Sequence, residues 1–226
     1  MSAALASFVA RRRPVLLVDL AGDLPAIAGL PPDGVDPRRS RDGFPSLGTW
    51  LAAGPAAPSD ALDALIHPIG EGLGLLPLGS RMPGTAMAGL PPESGAALVA
   101  ALAGGPVVVA DAGRAEYSVQ RAVVEVADTS VVVVRGCYLA LRRAVDDELT
   151  ARAMGVVVID EPGRSLRPAD VADVLGCPVL ATIGVDPSVS RAVDAGLLVQ
   201  RPPQLLSRAL RSLAGTVGGC APGWAA

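Results

Sequence analysis

The sequence predicts an α/β protein with a doubly wound, mostly parallel sheet that carries helices on both faces. Half of the 226 residues are apolar but only 3% are aromatic, so Val, Leu and Ala must build the core, as in parallel sheets covered on both sides. Short Val- and Leu-rich runs alternate with segments of helical period, which is the pattern of βαβ units. The length suits one large domain, which we place at residues 1–214, with a flexible tail over 215–226.

Six apolar runs predict strands because they are short and are bounded by residues that favour turns. These runs are residues 14–18, 73–78, 106–110, 129–134, 155–159 and 178–183. Nine other segments predict helices, and several of them begin at Ser or Pro and end at Gly, as helix capping prefers. These segments are residues 2–12, 46–53, 59–66, 94–103, 118–127, 138–153, 168–175, 187–195 and 203–213. Stretches rich in Gly and Pro predict loops over 31–45 and 79–92.

The charge and cysteine content argue against several classes of protein. A net charge of −3 gives no general attraction to nucleic acid or to an anionic membrane. Cys137, Cys177 and Cys220 are odd in number and lack CxxC spacing, which argues against a disulfide framework and a zinc site. No apolar stretch approaches the roughly 18 residues of a spanning helix, and no secretory signal is recognisable at the N-terminus. We expect a reduced, cytoplasmic protein.

Lysine and asparagine are both absent from the sequence. All 19 basic residues are arginine. A strongly GC-biased composition thins out lysine and asparagine, but such a bias seldom removes an essential ligand. The absence therefore bears on what the chain can bind.

Six segments, in order, resemble the ParA/MinD family of P-loop ATPases, the CobQ/CobB/MinD/ParA nucleotide-binding domain. They read PVLLVDLAGDLPAIAGL, GLGLLPLGS, GPVVVADAGR, ADTSVVVVRGCYLALRRA, GVVVIDEPG and GCPVLATIGVDPSVSRAVDAG, and the resemblance covers roughly residues 1–213. It implies a P-loop NTPase-like fold and a dimeric ATPase that positions chromosomes, plasmids, division sites or pilus machinery. ATP and Mg2+ are the cofactors that it implies for a full-length form.

The glycine-rich phosphate loop of that family is not found in this sequence. Family members carry KGGxGKT between the first strand and the first helix, whereas here SAALASFVARR resembles the helix that follows the loop. The fold would then lack the P-loop strand. Two explanations stay open: the true start lies upstream of Met1, or the chain is a truncated, degenerate relative. As written, we do not expect the chain to hydrolyse ATP.

The resemblance assigns roles to acids that follow three of the predicted strands. Asp19 matches the family's acid near the γ-phosphate, and Asp111 matches the aspartate that holds the water shell of Mg2+, so both are candidate catalytic residues and Asp111 is the candidate metal ligand. Asp160 stands where the family commonly has an Asn that recognises adenine. A carboxylate can accept a hydrogen bond from the base but cannot donate one, so the recognition of adenine would be halved. Asp186 and Pro187 lie in a turn that resembles the segment walling the base.

Two further observations qualify these roles. The family's second acid falls at Ala21, which argues against hydrolysis. Polar residues at the carboxyl ends of strands also commonly cap the following helix, so a purely structural role stays open for each acid.

Three other signals have ordinary explanations beside functional ones. The glycines of the GxGxG run at 70–74 precede a strand, which is the wrong polarity for a dinucleotide loop. His67, the only histidine, is expected to cap a helix end or to lie on the surface. Arg38, Arg39 and Arg41 lie in a predicted loop, where they are solvated or contact phosphate or the DNA backbone.

The segment 203–213 predicts an amphipathic helix that either docks on the sheet or makes a peripheral membrane contact. We also expect a homodimer, a protein partner and, as a further option, nonspecific DNA. The leading hypothesis is a ParA/MinD-like, nucleotide-dependent partitioning or positioning protein, truncated or degenerate. The alternative is a non-catalytic scaffold that keeps the ATPase fold for protein partners. A small-molecule enzyme is a third option, but no nucleophile and base can be named for it.

Overall fold

The computed structural model describes residues 1–31, 46–79, 82 and 84–219. The chain forms two compact units. The first contains residues 1–126 and 191–202, and the second contains residues 127–190 and the described residues after 202. The single domain predicted over 1–214 stays a prediction. Arg38, Arg39, Arg41 and Cys220 lie outside the described residues.

The first unit contains a four-stranded sheet in which three strands are parallel. Its strands are β1 (Val15–Asp19), β2 (His67–Gly70), β3 (Leu73–Leu76) and β4 (Val107–Asp111), in the order β2-β3-β1-β4. β1 runs parallel to both β3 and β4, and β2 is antiparallel to β3. The strands predicted over 14–18, 73–78 and 106–110 are thereby confirmed, with ends that shift by one or two residues.

The helix predicted over 59–66 and the capping position predicted for His67 are wrong. The chain forms 3-10 turns at Ser59–Ala61 and Asp63–Leu65, and His67 begins β2. The residue before a proline is biased toward extended backbone, so Pro68 favours a strand at His67. Gly72, with φ at 64°, then closes the β2–β3 turn, for which a left-handed residue is needed.

Among the described residues of this unit, six helices lie between residues 1 and 126. They are α1 (Ser2–Val9), α2 (Leu24–Ile27), α3 (Leu47–Ala53), α4 (Gly84–Ala88), α5 (Ser94–Leu102) and α6 (Ser118–Val126). Ser46 caps α3 because its hydroxyl accepts a hydrogen bond from the Thr49 N–H. The prediction of a loop throughout 79–92 is wrong at α4, where helix formation buries Met87. Trp50, Leu51 and Leu98 are fully buried in the core of this unit.

The second unit contains a three-stranded parallel sheet in the order β5-β6-β7. Its strands are β5 (Val131–Arg135), β6 (Gly155–Asp160) and β7 (Val179–Gly184). They confirm the strands predicted over 129–134, 155–159 and 178–183. Together, the two sheets confirm the predicted α/β class with mostly parallel strands flanked by helices.

Five further helices complete the described chain, and the boundary between the units falls within the fourth of them. They are α7 (Tyr138–Val145), α8 (Glu148–Ala151), α9 (Pro168–Leu175), α10 (Pro187–Asp194) and α11 (Gln204–Gly219). The helix predicted over 138–153 is interrupted because Asp147 caps α8, where its carboxylate accepts from the Leu149 N–H at 3.1 Å.

α11 docks on β7, which confirms the docking predicted for segment 203–213. Leu206, Leu210 and Leu213 are buried, whereas Leu205 is exposed, and the peripheral membrane contact stays a prediction. The helix continues to Gly219, beyond the predicted end at residue 213. Within the described ranges, no helix is both long enough and apolar enough to cross a membrane.

The close packing of α5 on α6 gives a stability test. A Cβ atom at Gly95 would lie 2.5 Å from the Ala122 Cβ and 3.2 Å from the Val119 Cα, so Gly95→Ala must push the helices apart. We expect it to lower the free energy of unfolding by about 1–3 kcal/mol in urea titrations. Gly215→Ala is the matched control, because nothing lies within 4 Å of its added Cβ. The control is expected to stabilise by about 0.5–1 kcal/mol, and the same sign for both variants would contradict the packing account.

Candidate functional site

Two aspartates lie side by side at the carboxyl edge of the first sheet. β1 and β4 are parallel and in register, with Asp19 opposite Asp111. The Leu20 N–H donates to the Asp111 carbonyl at 3.0 Å. This hydrogen bond extends the pairing of the two strands by one residue beyond the end of β1. The carboxyl edge of parallel strands is where open α/β sheets bind ligands, so this pair is the first candidate for a site.

Asp111 is held by the first helix and by its own turn. The Ser2 hydroxyl, at the start of α1, donates to the Asp111 Oδ2 at 2.5 Å. The Gly113 N–H donates to the Oδ1 at 3.1 Å. A hydroxyl and a carboxylate, 109 residues apart in the sequence, are thereby fixed against each other at the end of β4.

Asp19 is completely buried, and only half of its carboxylate is satisfied. Its Oδ1 accepts from the Gly22 N–H at 2.6 Å and from the Ala21 N–H at 3.1 Å. Its Oδ2 is buried and has no hydrogen-bond partner among the described residues. A buried carboxylate oxygen without a partner carries a desolvation cost that a bound cation or a donor would remove.

Burial raises the pKa of Asp19 to about 6. The backbone N–H groups of Gly22 and Ala21, and more weakly that of Leu78, oppose this rise, and the negative charge of Asp111 adds to it. Asp19 is therefore mostly ionised at neutral pH. A neighbouring positive charge would stabilise that ionised form.

Gln120 positions the loop that follows β1. It is buried, its Nε2 donates to the Leu20 carbonyl at 2.7 Å, and its Oε1 accepts from the Tyr117 N–H at 3.1 Å. Sequence reasoning missed both Gln120 and Ser2 as site residues. A signal for Ser2 was present in the sequence. Ser2 begins the helix that resembles the one following the phosphate loop in the family, and a hydroxyl at that position can donate a hydrogen bond to an acid at a strand end. Gln120 gave no such signal.

The donor set fits Mg2+ bound together with water or phosphate. Carboxylate and hydroxyl oxygens are the hard ligands that Mg2+ prefers, and it is commonly held by one or two carboxylates with waters and substrate phosphates. In the part of the chain that the structure describes, no cluster of three or more His, Cys, Asp or Glu side chains could form an all-protein metal site. Asp111 and Ser2 would hold the ion, with Asp19 beside them.

The three other predicted site residues belong to the second unit. Asp160 ends β6 with an exposed side chain, and its carbonyl accepts from the Val185 N–H at 3.0 Å. Asp186 caps α10, since its Oδ1 accepts from the Ser188 N–H at 2.6 Å, and Pro187 opens that helix. These contacts give Asp186 and Pro187 a structural role, and their contribution to base binding stays a prediction.

Solved structures with the same fold are MinD and ParA ATPases. The septum site-determining protein MinD from Pyrococcus horikoshii OT3, complexed with Mg-ADP, superposes with a TM-score of 0.72 and 20% identity, covering 98% of this chain and 92% of that one. A ParA family ATPase from Chlorobium tepidum TLS gives a TM-score of 0.67 and 17% identity, covering 94% and 91%. A chain of the MinC:MinD cell division protein complex of Aquifex aeolicus gives a TM-score of 0.67 and 18% identity, covering 100% and 92%. The chain therefore has the MinD/ParA fold that the sequence predicted.

Sequence comparisons reach only part of the chain. No protein-family model matches it. Two curated proteins, Uncharacterized protein Rv3660c of Mycobacterium tuberculosis H37Rv and Uncharacterized protein MT3760 of strain CDC 1551, are each 32% identical over 118 residues, or 50% of this chain. The match spans 34% of the length of either relative.

The raised pKa of Asp19 predicts a pH-dependent stability difference. The folded state holds the Asp19 proton more tightly than the unfolded state, so this group stabilises the fold below pH 4 and that contribution is lost as pH rises through about 6. Asp19→Asn removes the ionisation. The free energy of unfolding of the variant minus that of the wild type should rise by about 2–3 kcal/mol between pH 4 and pH 7.5, measured by urea titration in EDTA.

The exposed Asp63 supplies the control for this experiment. Asp63→Asn should give a difference from wild type that changes by less than about 0.5 kcal/mol over the same range. A flat difference for Asp19→Asn would show that Asp19 titrates near its ordinary pKa.

Proposed function

We propose that this chain is a ParA/MinD-like, nucleotide-dependent partitioning or positioning protein that binds a Mg2+–nucleotide at Asp111, Ser2 and Asp19. The observation that carries the proposal is the hydrogen bond from the Ser2 hydroxyl to the Asp111 carboxylate, with the buried Asp19 in register beside it. In P-loop NTPases a Ser or Thr at the start of the first helix and a strand-end Asp hold Mg2+ together. The same two residue types meet here at the same kind of strand end.

Each residue has a distinct part in this site. Asp111 orients the Ser2 hydroxyl and supplies a carboxylate oxygen, while the Gly113 N–H fixes the rotation of that carboxylate. Asp19, ionised at neutral pH, presents its unpartnered Oδ2 as an acceptor for a water near the terminal phosphate. When bound, Mg2+ neutralises charge on the phosphate oxygens. Because Ala21 replaces the family's second acid, we propose binding without efficient hydrolysis for the chain as written.

The proposed role includes ATP as the nucleotide, a homodimer as the working form and a protein partner for recognition. The MinD and ParA fold supports this, and one of the similar structures is a MinD bound to Mg-ADP and another is a MinC:MinD complex. The protein partner would determine which cargo is positioned: a chromosome, a division site or pilus machinery.

The binding proposal is tested by nucleotide-dependent stabilisation. Mg2+ with ADP at about 100 times the dissociation constant should stabilise the wild type by about 2.7 kcal/mol, which raises the melting temperature by roughly 5–11 °C. Asp111→Ala and Ser2→Ala should each remove the Mg2+-dependent part of that rise in a thermal shift series. Asp63→Asn, at an exposed carboxylate of the same unit, should keep it. An undiminished shift in Asp111→Ala would refute the site.

One observation favours the scaffold as a second candidate. The Asp19 Oδ1 is occupied by the N–H groups of Ala21 and Gly22, as in an acid that only caps a loop. A scaffold predicts that neither ATP nor ADP, with or without Mg2+, raises the melting temperature of the wild type, while protein partners still bind.

A further inference from the structure

Two arginines share one glutamate at the carboxyl end of the second sheet. Arg135 is the last residue of β5, and Glu161 follows directly after β6. Arg164 lies three residues further along the chain. All three belong to the second unit, and none of them takes part in the Mg2+ site proposed above.

The sequence Glu-Pro-Gly-Arg brings Arg164 back over Glu161. The Arg164 N–H donates to the Glu161 carbonyl at 3.2 Å, and Gly163 has φ at 80°, as a turn with Pro second and Gly third requires. The Arg164 Nε and a terminal nitrogen then each lie 2.9 Å from the Glu161 Oε2. The turn therefore fixes the guanidinium in a two-point contact.

Strand register brings Arg135 to the same carboxylate. Arg135 is opposite Ile159 in the parallel β5–β6 pair, and alternation along the strand places Glu161 on the same face as Ile159. The Arg135 Nε donates to the Glu161 Oε1 at 2.5 Å, and a terminal nitrogen of Arg135 contacts the same oxygen. Asp160 is adjacent to Ile159 in the strand, so alternation places its side chain on the other face of the sheet.

The cluster has one positive charge that its own members do not neutralise. Hydrogen bonds from Arg164 and Arg135 lower the pKa of Glu161, so the carboxylate stays ionised between the two guanidinium groups. The Glu161 side chain is 15% exposed, whereas those of Arg135 and Arg164 are 63% and 45% exposed. Each guanidinium has five N–H donors and uses two nitrogens on Glu161, so donors remain toward solvent.

We propose that Arg135 and Arg164, oriented by Glu161, form a binding site for a phosphoryl oxyanion. Guanidinium groups bind phosphate oxygens in pairs and give up hydration more readily than an ammonium group does. Because Glu161 already orders both side chains, a ligand meets a smaller entropy cost than at two free arginines. Since the chain has no lysine, arginine is the only basic side chain available to neutralise a phosphate, apart from His67.

A third arginine shows what distinguishes this cluster from an ordinary ion pair. Arg167 contacts Asp170 through two of its nitrogens, but one carboxylate there faces one guanidinium and no charge is left over. Its side chain is 79% exposed. Arg167 is therefore a matched control: the same residue type, in the same unit, three residues before its partner.

The test is calorimetric titration with inorganic pyrophosphate in EDTA at low salt. The wild type should bind it, and Arg135→Gln and Arg164→Gln should each weaken binding at least about tenfold, the scale of a lost charged hydrogen bond. Arg167→Gln should bind as the wild type does. Asp63→Asn, which lies outside both sites, should also bind as the wild type does. Because the titration contains no Mg2+, failure here and failure of the proposed function are distinguishable. Circular dichroism melts check folding, which exposed ion pairs affect little.

Titrations with ADP and with adenosine, also in EDTA, identify the source of the phosphoryl group. Binding of ADP tighter than pyrophosphate, with none of adenosine, supports a nucleotide phosphate. Equal binding of ADP and pyrophosphate supports a site for phosphate groups of any source. Absence of pyrophosphate binding, or a loss in Arg167→Gln as large as in Arg135→Gln, would overturn the proposal.

Discussion

The parallel pairing of β1 with β4 is the constraint on which the candidate site depends. It places the last residues of the two strands, Asp19 and Asp111, next to each other in register. Every residue of β1 is buried, so this strand cannot slip without moving apolar side chains out of the core. Core packing therefore enforces the proximity of two carboxylates, which by themselves repel each other and are costly to bury.

Much of the fold could be predicted because parallel strands are continuous apolar runs. The Val-rich segments ending at Asp111 and Asp160 read as strands for this reason. β2 was not predicted because it has only four residues, His, Pro, Ile and Gly, and this composition does not indicate a strand. β2 forms because it pairs with β3. Similarly, α4 forms because the burial of Met87 outweighs the helix-breaking tendency of the neighbouring Gly and Pro residues.

The site could be predicted only at the residues that end strands. The position of an acid after an apolar run locates Asp19 and Asp111, but their environments depend on distant parts of the chain. The contact of Ser2 with Asp111 spans 109 residues, and that of Gln120 with Leu20 spans 100. The raised pKa of Asp19 comes from burial, which a single sequence does not specify residue by residue. The pairing of Arg135 with Glu161 likewise follows from strand register.

Lack of lysine changes how charge can be balanced in this fold. A lysine ammonium group is not available, so positive side-chain charge must come from arginine, apart from His67. Backbone N–H groups or a bound cation can also balance a carboxylate. In the first unit, the carboxylates of Asp19 and Asp111 are stabilised by N–H groups and by Ser2, which leaves the Asp19 Oδ2 for a ligand. In the second unit, two arginines exceed the charge of Glu161. Each strand-end cluster thus carries an unbalanced charge, of opposite sign in the two cases.

The most direct measurement is anomalous diffraction from crystals grown with Mn2+, as a substitute for Mg2+, and ADP. We expect a peak within coordination distance of the Asp111 carboxylate and the Ser2 hydroxyl. Nucleotide bound with no peak at that position, or a peak held by other residues, would contradict it.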